Sequence, residues 1–391
     1  MSTIPIGVHA LMAQRATADL PGVAARIVSG LGQIPYTREE FAWSQIQPEP
    51  GPYNWQATDA WVAQCAMAGL HVFAILNKPP QWVTGAKTLG ESWTIPPLSD
   101  KARSGYAQFC GDTAARYGPE GTFWKANSTL PYVPITEFEI WNEPYKAGAW
   151  KGPFGEQIPS DPSEYASMFL AAASAIHATL GCKAFAAVDT GTDNTGTLPV
   201  PQPYLSLFLS APGVLGSVDG LSVHAYGFNH SPATYITTGT PRAPFDLEWR
   251  GSWKHTSKVG DVRRLLVDCG VPTLPVWITE IGYPTNTIGP GYVLGDSTQA
   301  AEQQQAMRIE AVFNYLKANC GLVQGLIFYT WQTMAWQADV VNSPNYNASD
   351  PEHFFGLVHN DGTNGYGDGT TCTAKPAWLT LQMLSKNGIP Y

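Results

Sequence analysis

The stretch His71-Val72-Phe73-Ala74-Ile75-Leu76-Asn77 decides how the rest of the chain is read. Five consecutive apolar residues, Val72 to Leu76, leave no alternation of polar and apolar positions. A strand that lacks alternation is covered on both faces, as in a parallel sheet flanked by helices. The residues just before it supply such a cover. Trp61, Cys65 and Ala68 recur at helical spacing, and Gly69 stands where a helix ends through a positive-φ residue.

Working outward, the same unit recurs. Strand-like runs fall at Ile4–Leu11, Ile34–Arg38, His71–Asn77, Ile135–Glu143, Lys183–Thr190, Asp219–Tyr226, Pro275–Tyr283 and Val323–Trp331, eight in all. Helical patterns lie between them. Asp161-Pro162-Ser163-Glu164 places a cap residue, a proline at the first helical position and a glutamate at the third. Tyr165, Phe169, Ala172, Ile176 and Leu180 then form one apolar stripe, closed by Gly181. Ala306, Ile309, Phe313, Leu316 and Cys320, closed by Gly321, repeat that logic. Asp246–Gly270 and Lys375–Lys386 carry two more helices. Eight strand–helix alternations predict an α/β fold, a closed (β/α)8 TIM barrel forming one domain over residues 1–391. An open doubly wound sheet would want a glycine-rich phosphate turn after its first strand, and none follows Leu11. The long stretches Lys78–Ser99 and Gln332–Thr373 then become loops at the strand ends, where barrel sites are built.

Composition narrows the function. Lys and Arg number 22 against 31 Asp and Glu, a net charge of −9, so no basic face for a nucleic acid is expected. Hydrophobic residues at 44% and charged ones at 14% suit a large core and not a disordered chain. No apolar run approaches the roughly 18 residues of a membrane span. The start, MSTIPIGVHAL, lacks the basic and long apolar regions of a signal peptide, while the few lysines and low charge favour an extracellular protein. The six cysteines (65, 110, 182, 269, 320, 372) show no metal-ligand spacing. They read as buried thiols, with disulfides in an exported protein as the other reading. H-E-x-x-H is absent, and neither a metal nor a cofactor is expected. The sequons at Asn127, Asn229 and Asn347 read as chance.

Two carboxylates stand out by position. Glu143 closes the fourth run in Phe138-Glu139-Ile140-Trp141-Asn142-Glu143-Pro144, and Glu280 closes the seventh in Val276-Trp277-Ile278-Thr279-Glu280-Ile281-Gly282. Strand ends four and seven face each other across a barrel mouth. Two carboxyls about 5–5.5 Å apart are what a retaining glycosidase needs, one attacking the anomeric carbon and the other protonating the leaving oxygen. The aromatic neighbours of Glu143 should raise its pKa and suit an acid. Glu280 should stay ionised as nucleophile, with Arg38 and Tyr226 as hydrogen-bond donors.

Trp141-Asn142-Glu143-Pro144 and Ile278-Thr279-Glu280-Ile281-Gly282-Tyr283-Pro284 resemble the acid/base and nucleophile motifs of clan A glycoside hydrolases. Tyr36 to Trp43, Pro50 to Trp55, Ser222 to Tyr226, Phe355-Gly356-Leu357 and Lys375 to Trp378 are similar to the family 39-related branch, which includes exopolysaccharide-degrading and β-xylosidase-like enzymes. The likeness runs from Gly7 to Leu384. It implies a retaining hydrolase of an oligo- or polysaccharide with Glu143 as acid/base and Glu280 as nucleophile. It also implies Asn142 on the sugar 2-hydroxyl, Arg38 and Tyr226 orienting the nucleophile, His224 lining the subsite and Trp331 as a stacking floor. Loops Gly148–Ser160 and Pro232–Ser257 have no counterpart in it.

Other residues fill in the expected cleft. Fourteen tryptophans suit stacking on sugar rings, with Trp82, Trp93, Trp141, Trp150 and Trp331 at strand ends or in loops, and Trp61 and Trp378 in the core. Asn77 and His9 end strands and could bond sugar hydroxyls, although a lone histidine such as His9 is more often satisfied locally. Asp189 belongs to the same class. Glu137 and Glu139 share strand parity with Glu143, and Arg38 pairing with Glu139 would be structural. The long aromatic loops favour endo cleavage. A transglycosylase would use the same covalent intermediate, and a non-catalytic carbohydrate-binding barrel would be expected to have lost one glutamate.

Overall fold

In a computed structural model, strand His71–Asn77 is bounded as its sequence predicts and lies third in a ring of eight parallel strands. The structure describes residues 3–15, 17–32, 34–145, 150, 161–188, 204–225, 259–285, 299–319, 321, 323–333, 354–359 and 372–391. The strands are β1 (Ile6–Val8), β2 (Pro35–Ala42), β3 (His71–Asn77), β4 (Glu137–Ile140), β5 (Lys183–Val188), β6 (Gly220–His224), β7 (Val276–Ile281) and β8 (Gly325–Phe328). They pair in sequence order, and β8 returns to β1 with Ile6 beside Leu326 and Val8 beside Phe328. A helix follows each strand: α1 (Leu20–Leu31), α2 (Gln56–Ala68), α3 (Asp100–Tyr117), α4 (Pro162–His177), α5 (Tyr204–Ser210), α6 (Val259–Asp268), α7 (Gln299–Ala318) and α8 (Pro376–Asn387). The fold is a (β/α)8 barrel.

The punctuation read from the sequence is what starts and stops these helices. Asp161 caps α4, its Oδ1 accepting from the Ser163 amide at 2.7 Å, with Pro162 as the first helical residue. Gly69 ends α2 at φ 76, its amide donating to Ala66 while that of Leu70 donates to Cys65. The apolar stripe of α4 is shorter than expected. The helix stops at His177, and Leu180 is 91% exposed. The segment 246–258 of the predicted helix before β7 lies outside the described residues.

Side chains alternate along each strand, so the barrel interior fills in layers. The lowest is aromatic: Tyr36, Phe73, Phe185 and Trp277 with Ile327, the Phe73 ring 5.1 Å from both Phe185 and Trp277. The layer above it is polar, built from Arg38, Glu139, Ser222 and Thr279, all 1% exposed or less. That layer explains why β2 runs to Ala42, past the expected end at Arg38. Within the run Arg38-Glu39-Glu40, Arg38 and Glu40 face inward to charged partners and Glu39 is buried on the outer side. Outward residues of the strands pack on the helices in one continuous core.

The fourth run ends early. β4 stops at Ile140 because Trp141 (φ 68) and Glu143 (φ 48) take left-handed backbone. For non-glycine residues this costs on the order of 1–3 kcal/mol each, a cost most often met at functional sites. Cys65, Cys110, Cys182 and Cys269 are free thiols, Cys372 is buried with its sulfur accepting from Gln332 Nε2 at 3.0 Å, and Cys320 lies outside the described residues. Among the described residues no helix is long and apolar enough to cross a membrane.

Candidate active site

The site starts from the polar layer. Arg38 is wholly buried and spends its guanidinium on three partners. Its Nε and Nη2 donate to Glu139 at 2.7 and 2.9 Å, Nη2 also donates to Asn142 Oδ1 at 2.9 Å, and Nη1 donates to Glu280 Oε1. Burial opposes its charge, but Glu139 and Glu280 outweigh burial and hold it protonated. Glu139 in turn accepts from the Ser222 hydroxyl at 2.7 Å. The pairing of Arg38 with Glu139 is the structural use expected from strand parity.

Strand parity does not carry Glu143 into the site. The left-handed turn at Trp141 breaks the alternation and sends that ring outward onto α3, 6.2 Å from Tyr106, and onto Trp150 at 5.7 Å. The second turn, at Glu143, brings its carboxyl to β6. His224 Nδ1 lies 3.0 Å from Glu143 Oε1 and 3.4 Å from Glu280 Oε2. One oxygen from each glutamate and the histidine nitrogen all lie within 4.8 Å of one another.

Glu280 reaches the same point through irregular pairing. Strands β6 and β7 slip register between Val223 and His224, and β7 and β8 slip between Ile278 and Ile281. A slip of this kind lets two neighbours face one side. Thr279 bonds Ser222 of the neighbouring strand β6 while Glu280, the next residue, bonds Arg38. Burial raises the Glu280 carboxyl, but the charges of His224 and Arg38 outweigh it and hold it below the ordinary range. Gly282 lets β7 lie this close to β8, since a Cβ there would stand 2.1 Å from the Tyr329 carbonyl oxygen.

The wall beside Glu280 is made by β1 to β3 and β8. Glu40, on the inward face of β2, pairs with Lys78 and accepts from Asn77 Nδ2 at 2.9 Å. Burial raises Glu40, and Lys78 more than offsets it, so the carboxyl is held low. Lys78 Nζ lies 4.8 Å over the Trp93 ring. His9 is 6% exposed, and among the described residues neither ring nitrogen has a hydrogen-bond partner. Burial, helped by Arg38, lowers its pKa to about 4 and keeps it neutral. The local satisfaction expected for His9 is absent.

The aromatic expectations need correction. Trp141, Trp150 and Trp331 are each 1% exposed or less and belong to the core, not to a stacking surface. Trp331 turns outward onto Trp378 of α8 at 4.7 Å, with the Arg26 guanidinium 5.3 Å over its ring. The half-buried aromatic at the end of β8 is Tyr329, 5.5 Å from the His9 ring. Parity with Gly325 and Ile327 marks both Tyr329 and Trp331 as inward, and the alternation fails after Tyr329, past the end of β8. Glu40 and Lys78 were hidden in the same way, Glu40 inside a charge run whose parity with Arg38 marks it as inward. Trp82 is 39% exposed. Tyr226 and Asp189 lie outside the described residues, as do 148–149, 151–160 and 226–258.

His224, Glu143 and Glu280 offer donor atoms that could face a cation. Arg38 already supplies a full positive charge to Glu280, which favours proton sharing over metal binding at this spot.

No family model matches the sequence, and no curated protein matches it. Solved structures do match in fold. A family 39 glycoside hydrolase from Bacteroides cellulosilyticus WH2 superposes with a TM-score of 0.64 at 16% identity, over 98% of this chain and 64% of that one. The chain thus spans less than two thirds of that protein's length. A GH5_18 protein from Bifidobacterium longum subsp. longum, solved with Manb1-4GlcNAc, gives 0.61 at 14% identity over 98% and 78%. The endo-1,4-beta-D-mannanase of Thermotoga petrophila RKU-1 gives 0.59 at 13% identity over 99% and 100%. At these identities the likeness is one of fold.

Proposed function

We propose that the chain is a retaining glycoside hydrolase acting on an oligo- or polysaccharide, with Glu280 as nucleophile and Glu143 as acid/base. One observation carries the reading. Two carboxyls from opposite sides of the barrel mouth have oxygens within 4.8 Å of each other and share one histidine nitrogen. Oxygens this close favour direct displacement, whose carboxyls stand about 5–5.5 Å apart, over an inverting site, whose carboxyls stand about 6.5–9.5 Å apart to hold a water. The glycosidases among the structural neighbours add support.

In the first step Glu280 attacks the anomeric carbon while Glu143 protonates the departing oxygen. In the second, Glu143 takes a proton from water, and the hydroxide so formed releases the sugar from Glu280. Arg38 keeps Glu280 ionised before attack. His224 Nδ1, lying between the two carboxyls, can follow the negative charge from one to the other. Asn142 is fixed through its Oδ1 by Arg38, which leaves its amide hydrogens to be donated to a substrate 2-hydroxyl. Endo action depends on loops outside the described residues.

The test is the stereochemistry of hydrolysis, followed by proton NMR on a substrate drawn from a glycan panel. The first-formed product should keep the anomeric configuration, and inversion would remove Glu280 from the nucleophile role. Glu280→Gln should abolish turnover without unfolding the chain. Glu143→Ala should cost least on substrates with good leaving groups, because protonation matters less there.

A further inference from the structure

We propose that Glu139 is a positioning residue that sets how strongly Arg38 holds Glu280, so that the strength of the nucleophile is fixed one layer below the site. The proposal rests on the reading of Glu280 as nucleophile. Glu139 takes two of the guanidinium's nitrogens, Nε at 2.7 Å and Nη2 at 2.9 Å, and leaves Nη1 for Glu280. It is 0% exposed, so water does not screen it. The Ser222 hydroxyl donates to its Oε1 at 2.7 Å, and His224 Nε2 stands 4.0 Å from the same oxygen.

The charge arithmetic gives Glu139 its function. Without it, the full positive charge of Arg38 would fall on Glu280 alone. A carboxylate held that tightly is a weaker nucleophile and leaves its ester more readily. The sugar also becomes cationic as it reacts, and an uncompensated guanidinium beside it opposes that charge. Glu139 removes both penalties while Nη1 still orients Glu280. The groups facing Glu280 are His224 from β6, Arg38 from β2, Glu143 beyond β4 and His9 beyond β1. Arg38, His224 and Ser222 face Glu139. Arg38 donates hydrogen bonds to both carboxylates, and His224 stands within 4.0 Å of each.

The test compares Glu139→Gln with Glu139→Asp in the full chain, reading the pH profile of kcat/KM and the split between kcat and KM. Glu139→Gln keeps the size and removes the charge. Its kcat should fall on the order of 10²-fold with KM changed little, and the acid limb of its profile should move down by about one pH unit. Glu139→Asp keeps the charge and disturbs the packing, and its acid limb should stay in place. If the two variants lose rate alike with unmoved acid limbs, Glu139 is merely structural and the proposal fails. Should Glu139→Gln not fold, Ser222→Ala takes its place. Loss of one donor leaves the Glu139 charge turned more fully on Arg38 and should move the acid limb up by a smaller amount, so an unmoved limb there overturns the proposal. Failure of the retaining reading is seen separately, as inversion of the product or turnover by Glu280→Gln.

Discussion

Truncating Trp331 and Tyr329 separately distinguishes a core aromatic from a cleft aromatic two residues apart. Trp331 is 0% exposed and meets Trp378 edge-on at 4.7 Å and 86°. Removing a buried tryptophan side chain costs about 3–5 kcal/mol, including an edge-to-face pair. An unfolding entropy of about 2.1 cal/mol/K per residue over 391 residues gives roughly 0.8 kcal/mol/K, so Trp331→Ala should lower Tm by about 5 °C. Below that transition its kcat/KM should stay within about threefold of the parent, since the ring faces α8 and not the mouth. Tyr329 is half-buried beside His9. Tyr329→Ala should cost less in Tm, while losing the contact area of an aromatic face, about 1.5–3 kcal/mol, should lower kcat/KM on the order of 10- to 100-fold. Thermal unfolding by circular dichroism and initial rates on one substrate suffice. An inactive but undiminished Trp331→Ala, beside a fully active Tyr329→Ala, would refute the assignment.

Glu39 makes stability depend on pH. Burial raises its carboxyl to about 7, against the Thr37 hydroxyl, which lowers it. Between pH 4.5 and 7 the folded chain therefore keeps a proton that the unfolded chain releases, and stability falls as pH rises through that window. Glu39→Gln should remove the loss and gain on the parent by up to ~3 kcal/mol at pH 7.5 relative to pH 4.5, read as Tm at the two pH values; a gain equal at both would show that Glu39 is not protonated in the fold. The acid limb of kcat/KM reports Glu280 and should lie below the ordinary glutamate value, because His224 and Arg38 together outweigh burial. Arg38→Met leaves that burial less opposed, so the limb should move up by about one pH unit or more, and a limb that stays in place would separate Glu280 from the titration.

Much of this architecture was legible because it is local. His71–Asn77 announces a doubly covered strand in its own residues, and the Asp161–Glu164 cap and Gly69 stop lie within a turn of what they control. The two glutamates were legible because barrel geometry brings strand ends to one face whatever lies between them. Misreadings arose where a residue's meaning depends on a distant partner or on a single dihedral. Glu40 sits in a charge run, and its partners Asn77 and Lys78 are 37 and 38 positions away. Trp141 was assigned to the cleft by its place next to Glu143, and one left-handed residue reverses that placement.

The same break in alternation has a functional consequence. Continued β structure past Ile140 would have put Trp141 and Glu143 on the inward face and Asn142 on the outward one. The left-handed turns at Trp141 and Glu143 instead bring Asn142 to Arg38 and Glu143 to His224 from adjacent positions. Two neighbouring side chains can then address one sugar unit, at the substituent beside the anomeric carbon and at the leaving oxygen. A regular strand would have given up one of the two, so on the proposed reading the backbone strain at this strand end, on the order of a few kcal/mol, serves the chemistry and not the packing of the barrel.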